Sequence, residues 1–156
     1  MTRTAEDAEV GAVEDVAEED ERYVRKVWED IKRGAEDLVK EEPLLGGLIY
    51  SKILNQRSFE KSLSYLLSSK IGNAQVLSGQ WQELIFQAIV ENPQIALFAA
   101  KDILAIRERD PACTNAVHCY LFYKGFSGLQ TQRVSHWLWK RNRKQLAFYM
   151  QSLVSE

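Results

Sequence analysis

From Val24 to Val154 the apolar residues recur at intervals of three and four, and no window alternates apolar and polar positions. That period belongs to helices, because a strand returns a side chain to the same face every second residue. The chain is therefore predicted to be all-α, a single helical domain of about seven to eight helices. Val24, Val27, Trp28, Ile31, Ala35 and Leu38 make the first stripe. Pro43 ends that helix and fits the first turn of the next, whose apolar face is Leu44, Leu45, Leu48, Ile49 and Ile53. Gly46 and Gly47 inside it weaken the helix or admit a close neighbour. Ser58 is the expected cap of a third helix with Phe59, Leu63, Leu66 and Leu67 inward, ended by Gly72-Asn73. Ser78 is expected to cap a fourth that buries Trp81, Leu84, Ile85, Ala88 and Ile89.

Asn92-Pro93 and Asp110-Pro111 both read as stop-and-restart signals. Between them Ile95, Phe98, Ala99, Ile103 and Ile106 line a fifth helix, and Pro111 is expected to open a short sixth. Gly125 to Gly128 marks a break before a long helix carrying Leu129, Arg133, Val134, Trp137 and Leu138. The last apolar segment, Leu146 to Val154, has no stop signal and reads as the lead into a further segment.

Charge divides the chain where periodicity does not. Residues 1–22 hold nine acids against two arginines, a net −7 inside a total of −2, so the remaining 18 cations and 13 acids give +5. So acidic a stretch buries little apolar area, and residues 1–20 are expected to be a solvated, disordered tail ahead of a domain spanning 21–156. The N-terminus has neither the basic and apolar regions of a secretory signal nor the basic character of a transit peptide. No run of about 18 apolar residues suggests a membrane span. A cytoplasmic protein follows as the expectation. Cys113 and Cys119 stand alone, with only His118 and His136 as nitrogen donors. A zinc site is therefore not expected, and the two thiols are read as reduced and buried. The small net charge argues against nucleic acid as a partner.

Three constellations bear on chemistry. The first is Arg107-Glu108-Arg109-Asp110-Pro111. Taken from spacing alone, Asp110 caps the Pro111 helix and the arginines make surface ion pairs. In the second, Arg133 and Trp137 stand four apart, close enough to stack as a cation–π pair on a helix that also holds His136. Two histidines support no nucleophile–base arrangement, so no catalytic residue is assigned within this chain. The third, Lys140-Arg141-Asn142-Arg143-Lys144, fits a site for phosphate, nucleic acid or a coenzyme A tail, or a charged turn between helices. Phosphate-loop, dinucleotide, zinc-protease and EF-hand signatures are absent.

Beyond these readings, the order of several short segments resembles the N-terminal helical domain of serine O-acetyltransferases. Val27-Trp28-Glu29-Asp30-Ile31-Lys32 looks like its opening helix, followed by Glu42-Pro43-Leu44-Leu45, Ile53-Leu54-Asn55 and Leu63 to Lys70. Asp102-Ile103, Arg107 to Ala112, Tyr123-Lys124-Gly125-Phe126, Leu129-Gln130 and Arg133 to Trp139 complete the series. The wording around Asp110-Pro111-Ala112-Cys113 is closer to plant members.

The resemblance implies transfer of an acetyl group from acetyl-CoA to L-serine, the first step of cysteine biosynthesis from serine, with cysteine competing at the serine site. It implies that a hexapeptide-repeat β-helix beyond this chain supplies the catalytic histidines. It also implies that the helical domain assembles a hexamer as a dimer of trimers. On this basis Asp110 is the substrate-binding residue, holding the serine ammonium group. Acetyl-CoA is then the co-substrate of the complete enzyme, with no cofactor bound by this chain. Cysteine synthase is a partner through a C-terminal tail that this chain is expected to lack. One position departs from the family pattern: Ser127 stands where relatives commonly carry histidine, and a serine does not titrate near neutrality. The competing account is a non-catalytic helical assembly or decoy module that joins complete subunits.

Overall fold

The computed structural model describes residues 4–154, and every regular element among them is helical. The order is α1 (Ala5–Glu41), α2 (Gly46–Ile49), α3 (Phe59–Ile71), α4 (Ser78–Glu91), α5 (Gln94–Arg109), α6 (Ala116–Phe122), α7 (Lys124–Lys140) and α8 (Lys144–Val154). A single 3₁₀ turn, Pro43–Leu45, precedes α2, and a π-type turn, Tyr50–Leu54, follows it.

The stripe from Val24 to Leu38 is the buried face of α1. Upstream the structure departs from the expected disordered tail: α1 begins at Ala5 and runs 37 residues without interruption. Its start is fixed locally. Thr4 Oγ1 accepts from the Asp7 amide (3.3 Å), while the Asp7 carboxylate accepts from the Thr4 amide (3.1 Å), a reciprocal cap that satisfies two otherwise open donors. Ala5–Val10 and Ala12–Glu19 are all exposed. Residues 1–3 lie outside the described residues.

The expected second amphipathic helix is instead broken into three short turns. Ile49 and Ile53 are fully buried, but Leu44 is 94% exposed. Two consecutive glycines give this stretch too little helical preference to hold one register. Ser58 caps α3 as expected, its Oγ accepting from the Lys61 amide at 3.2 Å. Gly72 ends α3 for a reason other than the left-handed conformation. Its φ is −65°, and a Cβ there would lie 2.7 Å from Ser78 backbone atoms, so glycine is needed for close approach to the start of α4. Ser78 opens α4 without capping it; the amide of Leu77, one residue earlier, donates to Gln80 Oε1 at 3.0 Å. Nor is there a break at Gly125 to Gly128: both glycines lie inside α7, and the interruption falls at Tyr123.

α3 pairs with α4 and α7 with α8, while α1 lies across α5 and α6. An aromatic chain joins four elements: Trp28 to Phe59 (6.2 Å between centroids), Phe59 to Tyr120 (5.9 Å) and Tyr120 to Phe126 (5.9 Å). The hydroxyl of Tyr120, fully buried, hydrogen-bonds Ser62 Oγ at 2.6 Å. The end segment is also partly built in. Ala147 and Met150 of α8 are buried, Tyr149 stacks on Trp81 (6.0 Å), and Phe148 remains 54% exposed.

Candidate functional site

α5 ends at Arg109 because Asp110 leaves helical geometry, although its amide still donates to Ile106 O (2.8 Å). The expected helix after Pro111 does not form. Pro111 and Ala112 make a turn, and α6 starts only at Ala116, capped by Asn115 Oδ1 accepting from the His118 amide (3.0 Å). Asp110 is therefore the C-terminal boundary of α5 rather than an N-cap. Its Oδ1 accepts from the Ala112 amide at 2.9 Å, pinning the carboxylate across the turn.

The second carboxylate oxygen is not taken up by that turn. Asp110, Asp102, Arg109 and Tyr123 line a cleft of about 560 Å³ between the end of α5 and the start of α7, walled by Ile106, Phe126 and Leu129. Loss of water around Tyr123 raises the pKa of its hydroxyl. Asp110 raises it further by accepting its hydrogen bond and by its negative charge. Neither Arg107 nor Arg109 forms an ion pair among the described residues, so the surface pairing expected of them is not seen.

Arg133 does not stack on Trp137. It turns to α5, donating to Asp102 Oδ2 (2.5 Å) and Gln130 Oε1 (2.6 Å), with its guanidinium 5.3 Å from the Phe98 ring centre. Gln130 also donates to Asp102 Oδ2 at 2.8 Å and is fully buried. This closed polar triad ties α7 to α5 beside the cleft. It was not visible in the sequence, because 28 residues separate Asp102 from Gln130. Trp137 receives Arg141 instead, 4.6 Å from its ring centre.

The loop after Asp110 holds a further correction. Cys113 and Cys119, read as free thiols, are joined as a disulfide, with Cα atoms 6.4 Å apart. The burial expected of them holds, at 6% and 0% exposure. The bond forms because Cys113 N donates to Asp110 O (3.0 Å), which curls the loop back over the first turns of α6 and brings the pair inside the roughly 4.4–6.8 Å span that disulfides occupy. Loop geometry, rather than the redox compartment, set the distance between them.

Ser127, in the place of the family histidine, is buried in α7 and donates to Lys124 O at 3.2 Å. His136 is exposed, and His118 Nδ1 lies 3.2 Å from Thr114 Oγ1. No histidine, serine or cysteine lines the Asp110 cleft. Among the described residues no cluster of three or more His, Cys, Asp or Glu can hold a metal, and no helix is long and apolar enough to cross a membrane. The cleft sets the Asp110 carboxylate, which can accept a cation, beside an apolar surface.

Such a chain is an all-helical domain with a cleft lined by Asp102, Arg109, Asp110 and Tyr123 at the end of α5. It belongs to the serine acetyltransferase family, whose N-terminal domain model matches residues 27–131. It is 41% identical over 130 residues to serine acetyltransferase 1, chloroplastic, of Arabidopsis thaliana, covering 83% of this chain and 41% of that protein. Against the Haemophilus influenzae serine acetyltransferase it is 40% identical over 129 residues, covering 83% of this chain and 48% of the relative. The soybean serine acetyltransferase solved in complex with serine superposes with a TM-score of 0.80 at 40% identity, over 83% of this chain and 53% of that one. The chain thus spans less than half the length of these two curated relatives.

Proposed function

We propose that this chain is the helical N-terminal part of a serine O-acetyltransferase and that Asp110 forms one edge of the serine site. The observation that carries this reading is the pinned carboxylate. Ala112 N fixes one oxygen, and the carboxylate borders an apolar-walled cleft suited to an ammonium group on a short carbon chain. A fixed anion lowers the cost of orienting serine, so that its hydroxyl is presented to a base on the catalytic domain. Acetyl-CoA and the base belong to that domain, and this chain alone is expected to transfer no acetyl group. Cysteine, which shares the ammonium and carboxylate of serine, competes for the same corner. The same reading includes assembly as a dimer of trimers, docking to cysteine synthase through a C-terminal tail, and a cytosolic location.

The test is Asp110→Asn in the enzyme that carries this domain together with its catalytic domain. Loss of a charge-assisted contact of about 1.5–3 kcal/mol raises the serine KM roughly 10- to 100-fold. The KM for acetyl-CoA and the oligomeric state stay as they were. An unchanged serine KM removes Asp110 from the site.

A further inference from the structure

The acidic half of α1 lies outside residues 27–131, and its Ala5–Val10 and Ala12–Glu19 are exposed. Nine acids and no base fall between Ala5 and Glu21, and Val10, Val13 and Val16 are 56%, 69% and 57% exposed. At 100° per residue, Glu6, Glu9 and Asp20 share a face with these valines, so the arm presents one mixed apolar and anionic surface. An exposed apolar stripe on a helix with no neighbour is a surface awaiting a partner.

Its chemical complement is the corner between α7 and α8. Residues 139–145 are all exposed, and Asn142, with φ of 60°, turns the chain there. Trp139 (40% exposed) meets Phe148 edge-on at 5.3 Å, and Lys144 Nζ sits 4.9 Å over Trp139. Arg141 is paired with Glu91, and Glu83 shares a shallow pocket with Arg143. Lys140 and Lys144 have no ion pair among the described residues. The corner is thus aromatic and cationic where the arm is aliphatic and anionic.

We infer that the acidic arm of one copy docks on the Trp139–Phe148 corner of a second copy of this chain. Charge chooses this over arm-on-arm pairing, which would set two strongly acidic helices together. Geometry chooses a second copy over the chain's own corner. The arm leaves the body near Arg57 and Phe59, which border the same pocket as Glu21 and Val24, and near Glu108, whose charge acts on Tyr23. That is the end of the fold where α7 begins, whereas the corner lies at the far end of α7, about 25 Å along its 17 residues. A straight helical arm of about 24 Å points away from it. A two-fold arrangement lets each arm reach the other copy's corner.

The experiment measures the self-association constant of the 156-residue chain by sedimentation equilibrium. The comparison is with Glu6→Gln/Glu9→Gln, with Lys140→Gln/Lys144→Gln, and with both pairs combined. Each pair alone is expected to weaken association roughly three- to tenfold, the combination to add little more, and rising salt to abolish the difference. Acrylamide quenching supplies a second reading. Trp28, Trp81 and Trp137 are 5%, 1% and 7% exposed, so quenchable emission comes from Trp139 and is expected to rise when either pair is neutralised. Effects that add independently, an unchanged association constant in either pair, a chain that stays monomeric, or quenching indifferent to the arm would each overturn the inference.

Discussion

α1 is one uninterrupted helix made of two unlike halves. Its second half, from Val24, puts Ile31 and Ala35 at zero exposure against α5 and α6, while Ala5–Val10 and Ala12–Glu19 of its first half are exposed. Helix formation and helix stabilisation are therefore separable here. The first half has a good start at Thr4 and no Pro, and it grows from a helix already nucleated by tertiary packing, so it escapes the nucleation penalty an isolated segment faces. The second half is held by burial, the larger force. Acidity, which suggested disorder, describes the solvation of the arm and leaves its backbone conformation open.

Substitutions that shave one methyl-bearing side chain from each half give the largest expected contrast. Ile31→Ala should cost about 2–5 kcal/mol, read as a lower denaturant midpoint, whereas Val13→Ala should stay within roughly 0.5 kcal/mol. Equal effects would mean the arm is packed in the free chain. Hydrogen exchange sharpens the same contrast without mutation: amides of residues 27–41 should exchange near the global unfolding rate, and those of 9–20 orders of magnitude faster.

The smallest effect concerns the cap. Thr4→Ala should remove about 1 kcal/mol of helix stability, seen as fraying of the first turns by NMR. The Asp7 pKa is lowered by the hydrogen bonds from the Thr4 side chain and the Thr4 backbone. A lowered folded-state pKa means the contribution is present above the ordinary carboxylate range and is lost as pH falls through the lowered value. The difference between Thr4→Ala and the parent chain should therefore shrink in acid. A difference that persists at low pH would show that the hydroxyl, and not the reciprocal carboxylate, holds the cap.

Different kinds of residue were legible to different degrees. Ser58 as a cap and Asn92-Pro93 as a boundary needed only local chemistry, and they stand where the sequence put them. Asp110 was legible as a special position, but as the wrong boundary, because whether a helix follows Pro111 depends on the loop that Cys113 and Cys119 close. Arg133 has the Trp137 ring four residues on in α7, and its own helix suggested that partner. Packing of α7 on α5 offered it Asp102 and Phe98, a carboxylate and a ring from another element, and a half-buried charge takes the carboxylate.

Period, caps and proline placement act over a few residues, so the sequence by itself determined the all-helical class, the boundaries of α3, α4 and α5, and the buried stripe of α1. Its ordered short segments also carried the likeness to serine acetyltransferases. Distances between residues far apart in the chain were decided only by tertiary structure. These are the Cys113–Cys119 bond, the Asp102–Gln130–Arg133 triad, the glycine-only approach of Gly72 to Ser78, and the cleft that brings Tyr123 to Asp110. The physical reason is that each depends on how whole helices dock, and docking is settled by the summed burial of many side chains rather than by any local pattern.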